Sequence, residues 1–134
     1  MKTVILSVIL ILTSFFSQGQ NLIGYAEKEI QKFMKENRQD MGKEIVSNSK
    51  FSYLKYSDSE DTQTLLFFLD SDSICKSIKL ICDIRVKTEK VKEFNSIYKP
   101  YGENKWIDTH NGKNYLIEIR NDQWSYNIII EPVK

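Results

Sequence analysis

The sequence is poor in the residues from which catalytic and metal sites are built. It contains one histidine, His110, and two cysteines, Cys75 and Cys82, among 134 residues. A structural zinc site uses four Cys or His ligands, so this set is too small and too scattered to form one. The sequence also lacks a glycine-rich phosphate loop, a Gly-x-Ser-x-Gly turn and a Cys–His pair placed for catalysis. We therefore expect no enzyme activity, no metal and no cofactor.

An excess of either charge is also lacking. Lys2 is the only charged residue among the first nineteen, and residues 20–134 carry equal numbers of basic and acidic side chains. Nucleic-acid-binding proteins gain much of their affinity from basic surfaces that neutralise phosphates. The composition therefore gives no general argument for nucleic acid as a partner.

The longest apolar run is too short to cross a membrane. It covers residues 4–16, after a positive start at Lys2 and before small residues at a candidate cleavage point. A membrane-spanning helix needs about 20 apolar residues, whereas this arrangement is typical of a cleaved secretory signal. We predict that residues 1–19 are a signal peptide. Residues 20–134 are then one exported globular domain, periplasmic or extracellular, with no membrane span after signal cleavage.

The spacing of the apolar residues predicts two helices and six strands. Helical periodicity covers residues 22–40 and 89–99. Three segments with strand-like alternation follow each helix. The predicted strands are residues 51–57, 63–70, 74–84, 103–109, 113–120 and 124–131. The order of one helix and three strands thus occurs twice.

The two halves share an inward-facing pattern. When the chain is shifted by fifty residues, apolar residues fall on apolar residues: Leu65, Phe67, Leu69, Ile78 and Leu80 on Tyr115, Ile117, Ile119, Ile128 and Ile130. Two structurally equivalent units require such agreement. We therefore predict an α+β fold with a duplicated α-β-β-β unit, its pseudo-repeats at about residues 21–84 and 87–134. The units would form a mainly antiparallel six-stranded sheet with two helices on one face.

The face of this sheet without helices is predicted to be partly apolar. Leu66 and Phe68 alternate with the inward-facing residues, so they point away from the helices. Tyr56 and Trp106 occupy matching ends of equivalent strands, which fits either a packed corner or a surface patch. We predict a binding surface formed by Tyr56, Leu66, Phe68 and Trp106. Trp124, by contrast, lies on the inward register and is predicted to be in the core.

The acidic segments and the single histidine are weaker candidates. Residues 58–61 and 70–72 hold oxygen ligands, but they lack the glycine and the closing glutamate of a calcium loop, and tight turns use the same residues. Asp108 precedes His110 by two residues at a predicted hairpin, where no nucleophile accompanies them. We therefore assign no catalytic residue and no metal ligand.

The two cysteines are poorly placed for a disulfide with each other. Cys75 and Cys82 both fall in the third predicted strand, which would separate them by about 23 Å and direct them to opposite faces. A disulfide needs Cα atoms within about 7 Å. We predict two free thiols with Cys82 in the core, and pairing of Cys75 between chains stays open.

In the order of its elements and in its predicted export, the chain resembles the tandem α-β-β-β proteins of the PepSY-like and β-lactamase-inhibitor-like group over residues 22–131. The resemblance implies a small periplasmic protein that inhibits or contacts other proteins, and it carries over no motif residue. The sequence thus favours a non-enzymatic protein-interaction domain, inhibitor-like or accessory, with another exported or envelope protein as its partner. The alternative is a periplasmic module that binds a small molecule or a sugar in an enclosed pocket of about 300 Å³ or more.

Overall fold

The computed structural model describes residues 21–44, 52–60, 62–110 and 112–133. The predicted signal peptide, residues 1–19, lies outside these residues. Within them, no helix is both long enough and apolar enough to span a bilayer.

The described residues form two helices and one antiparallel sheet of eight strands. The helices are α1 (Glu27–Asn37) and α2 (Lys87–Ile97), and the short 3₁₀ turn Ile84–Val86 precedes α2. The strands are β1 (Met41–Glu44), β2 (Tyr53–Asp58), β3 (Gln63–Leu69), β4 (Cys75–Asp83), β5 (Lys99–Gly102), β6 (Lys105–His110), β7 (Lys113–Asn121) and β8 (Ser125–Pro132). Their order in the sheet is β1-β2-β3-β4-β8-β7-β6-β5, so β4 and β8 meet at the centre.

The α+β class, the two helices and the antiparallel pairing agree with the prediction. The predicted number of strands is wrong, because the sheet has eight strands and not six. The two additional strands are the edge strands β1 and β5. In β1 only Met41 is buried, and β5 is exposed throughout, so neither has the alternation that identifies a strand. Pro100 in β5 is acceptable because an edge strand does not need every N–H for pairing.

The face that the helices cover forms the core. One row of directly opposed residues crosses six strands, and each member is buried: Leu54, Phe67, Ile78, Ile130, Ile117 and Trp106. Ile30 and Met34 of α1 and Phe94 of α2 belong to the same cluster. The rings of Phe94 and Trp106 meet edge to face, with centroids 5.3 Å apart. The ten residues paired by the fifty-residue shift are all buried, as their alternation predicts.

The segment before α1 connects distant parts of the sheet. The buried Asn21 donates a hydrogen bond from Nδ2 to Asp108 Oδ2 in β6, at 2.8 Å. Tyr25 and Cys75 are joined by a backbone hydrogen bond of 2.9 Å from the Cys75 N–H to the Tyr25 carbonyl. Residues 21–26 are therefore fixed against the sheet and not part of the helix, which explains why α1 begins later than its periodicity predicts.

The two cysteines point to the same face, contrary to the prediction. Phe68 pairs with Ser77, whereas the next residue, Leu69, pairs with Cys75, so β4 holds one extra residue there. This bulge leaves Lys76 exposed and returns Cys75 to the covered face. Both thiols are free, and the core position of Cys82 is confirmed by its exposure of 1%.

Candidate functional site on the helix-free sheet face

The second face of the sheet mixes apolar and charged side chains. Strand register aligns one residue from each of seven strands in a single row across it: Glu44, Lys55, Leu66, Lys79, Ile129, Glu118 and Lys105. Three of the charged residues in the row have partners close by, since Lys55 contacts Glu44 at 3.0 Å and Arg120 contacts Glu118 at 3.2 Å. Lys79 has an apolar residue directly opposite it on both sides. Both helices pack on the other face, so among the described residues this row has no helix over it.

An aromatic pair lies beside this row. Tyr53 in β2 and Phe68 in β3 are directly opposite each other, with ring centroids 5.9 Å apart and planes tilted by 46°. Both rings are half-buried. Such a pair keeps its geometry at little entropic cost and leaves apolar area in contact with water.

A groove of about 640 Å³ lies on the same face, toward the β5 edge and the C-terminal end of β8. Its apolar floor includes Ile107 and Leu116, which are directly opposite each other. The same cross-strand row ends at Lys99 on one side and Glu131 on the other. Three strand spacings of about 4.8 Å separate their backbones by about 14 Å. The remaining lining residues are Tyr101, Thr109, Asn114, Pro132 and Val133.

Two of the four predicted surface residues are not on this face. Tyr56 and Trp106 are 5% and 2% exposed, and they pair with the buried Leu65 and Ile117 on the covered side. The indole Nε1 of Trp106 donates a hydrogen bond to Asn95 Oδ1 at 2.9 Å, which satisfies its one polar group inside the core. Their assignment to the binding surface is wrong, because both continue the inward alternation of their strands.

The other two predicted residues, Leu66 and Phe68, do lie on the helix-free face. Each is half-buried and each belongs to a mixed apolar and polar neighbourhood. Their role in binding stays a prediction.

Trp124 is the exposed aromatic residue that the pattern assigned to the core. Its exposure is 80%, so the core prediction is wrong. It lies in the β7–β8 turn, where the Asp122 N–H donates to the Ser125 carbonyl at 2.8 Å. The turn-favouring Asn121 and Asp122, at the end of β7 and the start of the turn, are the sequence signal for this position, since a residue in a tight hairpin turn has no inward side.

The acidic residues Asp58 and Asp70 accept hydrogen bonds within their own turns. Asp58 Oδ1 accepts hydrogen bonds from the Thr62 and Gln63 N–H groups at 2.8 and 3.1 Å. The hydrogen bond from the Thr62 hydroxyl, followed by these two bonds, holds the pKa of that carboxyl below its usual range. Asp70 Oδ1 accepts from the Asp72 and Ile74 N–H groups at 2.8 and 3.0 Å. No group of three or more potential metal ligands occurs in the part of the chain that the structure describes.

His110 does not complete a recognisable catalytic arrangement. It ends β6 opposite Lys113, and the carboxylate of Asp108 accepts the hydrogen bond from Asn21. A general base needs a substrate proton within reach, and an activated nucleophile needs a base beside it. The described surroundings of His110 provide no such pair.

The chain matches no known protein family, no characterised protein and no solved structure.

Proposed function

We propose that this protein is an exported, non-enzymatic interaction domain whose helix-free sheet face binds another exported or envelope protein. The observation that carries the proposal is the half-exposed apolar set on that face: Tyr53, Leu66, Phe68, Ile107, Leu116 and Ile129. Apolar side chains that stay partly exposed together on one face of a small protein are typical of a contact surface. Export rests on the sequence pattern of residues 1–19 alone.

The dimensions of the face suit a protein partner. Seven spacings of about 4.8 Å and strands about 20 Å long give an area of roughly 700 Å². A standard protein–protein interface covers about 800 Å² on each partner. A partner lying flat on the sheet therefore has enough area for a specific complex without contacting the helices.

The charges favour a particular kind of partner. Lys79 lies at the middle of the face between Leu66 and Ile129, with no carboxylate directly opposite it. A partner with one acidic side chain inside an apolar surface would pair with Lys79 while covering both neighbours. The groove beside Ile107 and Leu116 would accept a projecting apolar side chain from the same partner.

We further propose that the two halves arose by duplication. Support comes from the central strand pair, in which Lys79 is directly opposite Ile129, fifty residues away. On either side, Ile78 pairs with Ile130 and Leu80 pairs with Ile128. A local twofold axis that relates each residue to the one fifty positions later requires this register.

Site-specific photo-cross-linking tests the proposed interface. A photoreactive amino acid at position 66 samples the helix-free face, and the same amino acid at Ile97, 42% exposed on α2, is the matched control. We expect a discrete adduct with one other protein from position 66 only, and we expect Leu66→Glu to abolish co-purification of that protein while Ile97→Glu preserves it. An adduct of two copies of this chain, or equal adducts from both positions, contradicts the proposal.

A second candidate function is the binding of a small molecule or a sugar. The groove of about 640 Å³ favours it, since its volume lies in the usual range for ligands and Tyr101 at its border is 67% exposed. The groove is open, however, whereas this function was predicted to use an enclosed pocket. Titration with a panel of monosaccharides and oligosaccharides, monitored by amide shifts, tests it: shifts at Tyr101 that Tyr101→Ala removes would support a sugar site.

A further inference from the structure

A second groove, on the opposite face, has a different chemical character. It measures about 580 Å³ and lies between the C-terminal part of α1 and strands β1 and β2. Met34, Met41 and Tyr56 contribute its apolar floor, and they are 2%, 7% and 5% exposed. Methionine side chains adapt to irregular apolar shapes, so this floor suits ligands of variable outline.

Every charged side chain that lines this groove is a cation. These are Lys35, Arg38 and Lys43, and the other polar lining residues are Gln31 and Gln39. Asp40 lies outside the lining and offsets one of the charges, because it binds the Arg38 guanidinium through two hydrogen bonds of 3.1 Å. The exposed Lys35 and Lys43 therefore carry the excess positive charge at the opening.

The arrangement of Arg38 is fixed by more than one contact. Besides the two bonds to Asp40, its Nη2 donates to Gln63 Oε1 at 3.4 Å. A guanidinium held in place from two sides presents its remaining donors in a constant direction. Lys43 is directly opposite Tyr56 across the β1–β2 pair. Its side chain therefore leaves the backbone next to the floor of the groove.

The Tyr56 phenol adds a neutral donor to this floor. Burial raises the pKa of Tyr56, and the nearby Glu27 carboxylate raises it further. The hydroxyl therefore keeps its proton at neutral pH and can donate a hydrogen bond.

We propose that this groove binds a small organic anion with an apolar body, such as a medium-chain carboxylate. The anionic group contacts Lys35, Lys43 and the free edge of Arg38, and the apolar body covers Met34 and Met41. This site is independent of the proposed protein interface, because the two grooves lie on opposite faces of the sheet.

Methionine methyl signals provide a direct test. Only three methionines occur in the chain, and two of them line this groove. In the purified protein labelled with ¹³C-methyl methionine, we expect sodium decanoate to shift the Met34 and Met41 signals in a saturable way. Decanol, which has the same chain without the charge, should bind up to about fivefold more weakly, since one exposed ion pair contributes up to about that factor.

Charge reversal identifies the groove. Lys43→Glu replaces an attraction by a repulsion, so we expect decanoate affinity to fall roughly five- to twenty-fold, and Lys43→Gln to give an intermediate loss. Lys99→Glu makes the same change in the groove on the other face and should alter affinity less than twofold. Thermal unfolding of each variant verifies the fold.

Three results would overturn the proposal. The first is the absence of saturable shifts at Met34 and Met41. The second is equal affinity for decanoate and decanol, which would mean an apolar site without charge recognition. The third is binding to phosphatidylglycerol vesicles without any response to monomeric decanoate, which would mean a membrane surface as the ligand.

Discussion

The two faces of the sheet are formed by the same strands but differ in composition and burial. On the covered face, the row from Leu54 to Trp106 is apolar and buried in all six strands that it crosses. On the helix-free face, the row from Glu44 to Lys105 consists of charged residues, except for Leu66 and Ile129. Because successive residues of a strand point to opposite faces, one alternating sequence specifies both surfaces at once. The covered face supplies the stability, and the other face has no helix over it among the described residues.

The two grooves extend this comparison. The groove on the helix-free face contains both Lys99 and Glu131, whereas all the charged residues that line the groove under α1 are cations. A groove with both signs suits the mixed surface of a protein, and a groove with one sign suits an anion.

The two tryptophans should give the largest contrast. Trp106→Ala empties a buried site on the covered face, so we expect it to lower the free energy of unfolding by about 3–5 kcal/mol. Trp124→Ala, in the β7–β8 turn, should change it by less than about 0.5 kcal/mol. Urea unfolding measures both values. A loss at Trp124 equal to that at Trp106 would mean that the turn packs against other residues in solution.

Two consecutive leucines provide a finer comparison. Leu65 is 6% exposed on the covered face, and Leu66 is half-buried on the other. We expect Leu65→Ala to lower the free energy of unfolding by about 2–4 kcal/mol and Leu66→Ala by about 1 kcal/mol. Equal losses would show that the helix-free face is as well packed as the core, and the proposed interface would lose its basis.

The central strands could be predicted from the sequence because their alternation is uninterrupted. Leu65, Phe67 and Leu69 follow a strict period of two, and all are buried. The edge strands could not be predicted, because an edge strand with one buried residue, such as β1, has no period to detect. The extra residue at Lys76 was equally undetectable, since a bulge shifts the register without changing the composition.

The candidate site was only half predictable for a related reason. Leu66 and Phe68 are adjacent to strongly inward residues, which decides their face. Tyr56 and Trp106 lie near strand ends, where the pattern is too short to decide between core and surface. The groove under α1 brings residues 31–39 next to β1, and such a long-range contact has no signature in a single sequence.

Alkaline pH should lower the free energy of unfolding through groups that are buried on the covered face. Burial raises the pKa of the Cys75 thiol from its ordinary value of 9.0 to about 12, and burial also raises the pKa values of Cys82, Tyr98 and Tyr126. Above pH 9 the unfolded chain loses protons that the folded chain keeps, so stability present below pH 9 is lost as the pH rises toward 12. For Cys75, the loss should approach about 1.4 kcal/mol per pH unit between these two pKa values.

Urea unfolding between pH 8 and pH 11 measures this slope. Cys75→Ala removes one titrating group, so its slope should be smaller than that of the unchanged protein even though its stability at pH 8 is lower. A thiol reagent gives a second readout, since both cysteines should be unreactive until the protein unfolds. Rapid reaction of either thiol in the folded protein would contradict the burial on which the prediction depends.

The smallest expected effect concerns a single hydroxyl on the covered face. Tyr126 is fully buried, and its hydroxyl forms no hydrogen bond of normal geometry among the described residues but interacts with the Cys82 thiol. The residue directly opposite is Cys82, whose thiol is a weak hydrogen-bonding group. Burying a hydroxyl without a good partner costs about 1–3 kcal/mol, and a weakly bonding thiol offsets part of that cost, so Tyr126→Phe should raise the free energy of unfolding by up to about 1 kcal/mol. Tyr115→Phe, at 7% exposure, is the control and should be close to neutral. A decrease for Tyr126→Phe that disappears in a Cys82→Ala background would instead show that the thiol and the phenol stabilise each other across the two central strands.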